Sequence, residues 1–268
     1  MIRLILLTLT ILSTSCFAAP DTAKKLRRDA ESFMVNKDYV SAEKTLTKVI
    51  RLEPNVASNY FKRARVLQRR GKRESAVRDL RRAIENSEKP YDAAHISLGK
   101  LLRRLGRCEE AVTHLRKAIE INPKRNEMKI KSEMNAASRC ANRYGDIRKI
   151  LGNSFETLQD FKSVPENALR HVVVYIQDIV NETPHAVSLL LVLARVHVAL
   201  DELYEALAQT GRALKIQREN LTALMLRTQI YYRLAEHDVA LTHVRCDTHL
   251  PLYISLFFSY IVQTQSGT

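Results

Sequence analysis

The sequence predicts an all-α solenoid, built from antiparallel helix pairs and coiled into a right-handed superhelix. Two observations carry this expectation. The stretch from Ala57 to Pro90 and the stretch from Tyr91 to Arg125 are two copies of one pattern: Gly71 answers Gly106, Ala76 answers Ala111, Leu80 answers Leu115 and Ala83 answers Ala118. The chain also has no Trp and only seven Gly and seven Pro in 268 residues, which suits a helical array better than a sandwich or an α/β enzyme. Each copy reads as two amphipathic helices joined by a tight turn at the glycine. Small residues (Ala64 and Gly99 on the first helix, Ala76 and Ala111 on the second) let the helices approach. Large ones (Tyr60, Leu67, Leu98 and Leu102) fill the space between neighbouring pairs. One pair cannot bury its own apolar face, so pairs must stack.

A period of about 34 residues with this order of small and large positions is the signature of the tetratricopeptide repeat, or TPR. The fold class is therefore a TPR solenoid, and its elements follow in order. Met1 to Ala18 reads as a secretory signal: Arg3 supplies the positive n-region, Leu4 to Leu12 the short apolar run, and Cys16-Phe17-Ala18 the small residues at a cleavage site. The run is too short to span a membrane. The rival, a lipoprotein signal with Cys16 lipidated, wants Leu where Ser13 stands. The mature protein is then expected in the endoplasmic-reticulum lumen or outside the cell.

Residues 19–125 form an N-terminal block of three repeats. The first has Leu26, Ala30 and Phe33 as the core stripe of one helix and Ala42, Leu46 and Val49 as that of the other, closed by Pro54. Residues 126–186 break the register. They read as a long helix to Leu151 with Met128, Met134, Ala137 and Ile147 on one side. A loop with Phe155, Leu158 and Phe161 follows, then a helix from Glu166 with Leu169, Val172, Val173, Ile176 and Ile179 in its stripe. Residues 187–245 resume the pattern, with Ala194, Ala206 and Ala213 in the small places. Residues 246–268 leave it: CDTHLPLYISLFFSYIVQTQSGT has no repeat register and the composition of an aggregation-prone strand. A solenoid end calls for a polar cap, so this tail is expected to be an alternative ending and not the original continuation.

The formal charge of +14 is uneven. Ala57 to Arg125 holds 19 Lys/Arg against 8 Asp/Glu, whereas the remainder to Thr268 holds 15 of each. The plain reading is a solvated outer face. No nucleic-acid fold or aromatic platform accompanies the charge, so nucleic acid is not expected as a partner.

No catalytic constellation appears. The glycines sit singly, which excludes a phosphate loop, and the eight His contain no His-Glu-x-x-His pair. His95, His114 and His197 read as packed or solvated repeat residues. No enzyme activity, cofactor or metal is expected. Of the mature cysteines, Cys108 and Cys140 are the pair within the regular part of the chain, and Cys246 lies in the tail. In an oxidising compartment two can join, and spacing alone does not settle which. Asn220-Leu-Thr is a glycosylation sequon, and Asn181-Glu-Thr is a second, weakened by the Pro184 that follows.

The candidate binding surface is the concave groove, which in such arrays is lined by first-helix residues outside the core stripe. These are Arg27, Glu31 and Met34 in the first repeat, Phe61, Arg65 and Gln68 in the second, and Ile96, Lys100 and Arg103 in the third. Phe61 and Ile96 occupy the same place in successive repeats. Two large apolar side chains there make a greasy strip edged by cations, suited to extended polypeptide. The plain alternative is that neighbouring helices cover them. The clamp by which other TPR domains grip the acidic ends of cytosolic heat-shock chaperones is absent: Glu31, Lys62 and Ala93 stand where it needs Asn, Asn and Lys.

The segments YFKRARVLQRRGKRESAVRDL, LGKLLRRLGRCEEAVTHLRKAIEINP and IYYRLAEHDVALTHVR, with the leader, resemble the endoplasmic-reticulum TPR co-chaperones that end in a J domain, the 58-kilodalton inhibitors of an interferon-induced protein kinase. The resemblance runs from Ala23 to about Arg245. It implies binding of misfolded polypeptide through an apolar patch containing Phe61 and Ile96. It also implies a lumenal heat-shock chaperone as partner through the J domain. No His-Pro-Asp tripeptide occurs here, so the chain is expected to stop before that domain. The alternative function is a TPR scaffold or kinase-inhibitor module that recognises one protein partner.

Overall fold

The computed structural model describes residues 22–124, 127–152, 161, 163–236 and 239. Among these, eleven helices and no strand occur. Helix α1 spans 22–35. It is followed by α2 (Tyr39–Leu52), α3 (Ala57–Arg69), α4 (Arg73–Glu85), α5 (Asp92–Arg104), α6 (Cys108–Ile121), α7 (Glu127–Leu151), α8 (Glu166–Glu182), α9 (Val187–Ala199), α10 (Leu203–Ile216) and α11 (Leu221–Arg233). Adjacent helices pack as antiparallel pairs: α3 lies against α2 and α4, α9 against α8 and α10, and α10 against α11. The fold is thus the all-α, TPR-like solenoid that the repeat predicts. The leader and the tail lie outside the described residues, apart from the isolated Val239 among the later repeat residues.

The repeat is written in the backbone at its turns. Gly71 and Gly106 adopt φ of +76° and +80°, the left-handed region in which a side chain is costly. Lys37, Asp201 and Ala235 take φ of 60°, 61° and 61° at the corresponding turns. At Gly71 the amide donates to Gln68 O and that of Lys72 to Leu67 O, and the same two bonds recur at Lys37, Asp201 and Ala235. These bonds satisfy carbonyls that the helix end leaves open. A sequence search keyed on glycine finds only two of these turns.

Two compact units result. The first comprises the described residues up to Arg103 together with Cys108–Ser138; the second comprises Arg104–Arg107 and those from Arg139 onward. In the first, Leu46, Leu80, Leu98, Leu102 and Leu115 are fully buried, as are Ala64, Ala76 and Ala111. Gly99 is small for a reason: a Cβ there would stand 2.7 Å from Leu115 Cγ and 3.2 Å from the Ala111 carbonyl oxygen. In the second unit, α9 is buried on nearly all sides through Leu189, Leu190, Leu191, Val192, Leu193 and Val196, so it carries no polar face to reveal its period.

The long helix differs from its expectation in one respect. Met128 is 88% exposed, and Ile130 is buried in its stead beside Ala137. In α8, Val180 joins Leu169, Val172, Ile176 and Ile179 in the core, whereas Val173 is half-buried. Phe155 and Leu158 lie outside the described residues, and Phe161 is buried.

Candidate functional site

The site is built on the first helices of the opening repeats. Counting one period from α1 to α3 and from α3 to α5 gives three sets of equivalent residues: Arg27, Phe61 and Ile96; Glu31, Arg65 and Lys100; Met34, Gln68 and Arg103. One turn of helix separates the first set from the second, so each apolar side chain on α3 and α5 has a cation one turn beyond it.

Phe61 and Ile96 are both half-buried. Phe61 is not alone. Its ring meets that of Tyr91, immediately before α5, with centroids 5.3 Å apart and planes tilted by 41°, an arrangement that aromatic pairs favour. Tyr91 was missed by sequence reasoning because it precedes the helix, outside the groove register. The available signal was its place one period beyond Ala57, where the first copy carries a small residue. Arg65 is exposed and Lys100 half-buried, and neither makes an ion pair among the described residues.

The other predicted groove residues are held elsewhere. Met34 packs against the core cluster of Ala30, Ala42, Leu46 and Val66. Arg103 donates from Nε to Glu133 Oε2 at 3.0 Å, so its charge is met within the protein. Arg27 pairs with Glu53. Glu31 accepts from Lys62 Nζ at 2.5 Å, and that bond, then the charge, holds its carboxyl below the usual range. Phe61, Tyr91 and Ile96 are thus the half-buried apolar residues of the candidate strip, and Arg65 and Lys100 are the predicted groove cations that make no ion pair among the described residues.

The same helices also carry a polar lock that sequence reasoning missed. Arg63 grips Asp79 with two hydrogen bonds of 2.7 Å, Nε to Oδ2 and Nη2 to Oδ1. Its Nη1 donates to Thr47 Oγ1 at 3.3 Å, and its guanidinium lies over Tyr60 at 5.9 Å. The paired carboxylate raises the Arg63 pKa further. One period on, at the place of Asp79, stands His114. Its Nδ1 is 3.0 Å from Nδ1 of His95, which is 5% exposed. Burial first, then the charges of His114 and Lys117, push His95 down to about 4. His114 is lowered too, by burial and Arg81, against the opposing pull of Glu110. Both rings are neutral at pH 7, and the short contact requires one Nδ1 to donate and the other to accept.

In the second unit an open cavity of about 300 Å³ is lined by Arg139, Cys140, Arg143, Asp178, Ile179, Asn181 and Glu182. Its charges answer one another: Arg139 with Glu182 at 3.5 Å and Arg143 with Asp178 at 3.9 Å. Cys108 and Cys140 are both disulfide-bonded and nearly inaccessible. Among the described residues no group of three His, Cys, Asp or Glu is placed to hold a metal ion, and no helix is long and apolar enough to cross a membrane.

The comparisons fit this geometry. Residues 61–126, which contain the apolar strip, match the Tetratricopeptide repeat family. Two curated relatives from Oryza sativa subsp. japonica match over 84 residues: DnaJ protein P58IPK homolog B at 36% identity and homolog A at 34%. The match takes in 31% of this chain and 16% of each relative. The crystal structure of the P58(IPK) TPR domain superposes with a TM-score of 0.71 at 20% identity, covering 91% of this chain and 64% of that one. The chain is therefore a TPR-like helical array that is similar in sequence to P58IPK homologs over 84 residues and in fold to the P58(IPK) TPR domain.

Proposed function

We propose that the protein binds unfolded or misfolded polypeptide in the groove of its N-terminal repeats, as a lumenal co-chaperone of the secretory pathway. The observation that supports the reading is the half-buried set of Phe61, Tyr91 and Ile96 near Arg65 and Lys100. A packed array has no need of an aromatic pair at that place, whereas an extended peptide with apolar side chains does. Glu31, Lys62 and Ala93 at the heat-shock clamp positions argue against binding of acidic chaperone tails. The leader and the disulfide bonding of Cys108 and Cys140 both suit an oxidising compartment. The homology to P58IPK, whose named relatives are DnaJ proteins, supports a chaperone setting.

The test is a titration of the chain against a reduced, denatured protein by anisotropy. Phe61→Ser combined with Ile96→Ser is expected to weaken binding at least about tenfold, since a buried aromatic anchor carries about 2 kcal/mol or more. Circular dichroism is expected to be unchanged, because both side chains stand outside the fully buried core. Equal binding by the folded double variant would overturn the groove assignment. Retention of one native partner, with no binding of unrelated denatured proteins, would replace it by the dedicated scaffold.

A further inference from the structure

We infer that Asn220 is an N-glycan acceptor and that Asn181 is not; this rests on the lumenal reading above. Both begin an Asn-x-Thr sequon, but the structure treats them differently.

Asn220 lies in the turn between α10 and α11 and is the N-cap of α11. Its two amide atoms have separate tasks. Oδ1 accepts from the Ala223 amide at 2.9 Å, the bond that satisfies an open N–H at a helix start. Nδ2 donates to Gln217 Oε1 at 2.9 Å in an exposed contact. A glycan attaches at Nδ2, so the capping atom is untouched and the helix start survives conjugation. Thr222, the third sequon residue, is half-buried on the first turn.

Asn181 is exposed, whereas Asn220 is half-buried, but Asn181 lies inside the last turn of α8, on the wall of the cavity lined by Arg139, Cys140 and Glu182. Its Thr183 is fully buried, with Oγ1 donating to Ile179 O at 2.7 Å. Pro184 follows directly and restricts the Thr183 backbone. Surface turns are the usual setting of modified sequons, and Asn220 alone of the two sits in one.

The step is a group transfer from a lipid-diphosphate-linked oligosaccharide, catalysed by the cell's transferase. The Nδ2–C1 bond forms as the C1–O bond to the diphosphate breaks. The lipid diphosphate leaves with the bonding pair, and one Nδ2 proton passes to a base. No redox change occurs, and one N–H remains on the amide.

The experiment expresses the full chain in a secretory cell, once with its own leader and once with residues 1–18 exchanged for a signal known to direct translocation. Mobility is compared before and after treatment with peptide N-glycosidase. The exchanged chain is expected to lose one glycan step on treatment. Asn220→Asp and Thr222→Ala are each expected to abolish that step, and Asn181→Asp to leave it. Aspartate caps a helix as well as asparagine does, so Asn220→Asp separates loss of the glycan from loss of the fold. A translocated chain with no glycan, or a step that persists in Asn220→Asp, overturns the inference. If only the chain with its own leader stays unprocessed, the lumenal reading fails while the exchanged chain still decides the acceptor.

Discussion

Asp79 is a carboxylate on a helix face where the first repeat places Thr45 and the third places His114. It is 5% exposed, so its charge is tolerable only because Arg63 meets it twice. A buried pair of this kind adds little net stability, but removing one partner strands the other. Asp79→Ala is expected to cost about 3 kcal/mol, read by chemical denaturation, and Arg63→Met with Asp79→Leu to recover most of it. The histidines at the next repeat give the same place a pH dependence. Their native pKa values lie below the unfolded value near 6.5, so the fold favours the neutral rings. That contribution is complete above about pH 6.5 and is lost as pH falls towards 4. Melting temperature is expected to drop across this window, by the equivalent of about 1–3 kcal/mol, and the drop to shrink in His95→Gln. Neither lock was legible in the sequence. Arg63 and His95 read as ordinary members of basic or mixed helices, and only the period, which sets Asp79 and His114 at one core-facing place, held the clue.

At the scale of the element, much was legible. The small residues Ala64, Ala76, Gly99 and Ala111 fall at helix contacts because the backbones approach too closely for larger ones, and any near-complete repeat must keep them. The turns were legible only where they carried glycine. Lys37 and Ala235 hold the same left-handed geometry as Gly71, at a cost that the rest of the helix pair absorbs. Lys37→Gly and Ala235→Gly are therefore expected to raise stability by about 0.5–1 kcal/mol each, and Gly71→Ala to lower it by about 1 kcal/mol. Thermal melts check both signs, and a loss of stability in Lys37→Gly would show that its side chain matters more than its backbone. Helix α9 was the opposite case. Its pattern of small residues marked it as a repeat helix, but burial on nearly all sides erased the amphipathic signal that would have fixed its face.

Across the whole chain, the charge is where sequence and structure diverge most usefully. The sequence gathers its surplus of Lys and Arg between Ala57 and Arg125, and counting alone makes that region a uniform basic surface. The structure spends much of the charge internally: Lys62 on Glu31, Arg63 on Asp79, Arg70 and Lys72 on Glu43, Arg81 on Glu110, and Arg103 on Glu133. Pairing depends on which helices become neighbours, so residue counts do not contain it. Of the predicted groove cations, Arg65 and Lys100 make no ion pair among the described residues, and each stands one helical turn from Phe61 or Ile96. Exposed charges steer association and add modest affinity, and salt screens them over about 10 Å at 0.1 M. Arg65→Ala with Lys100→Ala is therefore expected to weaken client binding by only about two- to fivefold at low salt, chiefly through a slower on-rate, and by little at 0.5 M salt. Arg103→Ala should change stability more than binding, because it leaves Glu133 without that partner. Stopped-flow association against a denatured client, run at both salt concentrations, separates these outcomes. A salt-independent loss in the Arg65 and Lys100 double variant would mean that those side chains contribute their aliphatic stems to the apolar strip, and that the groove selects by shape alone.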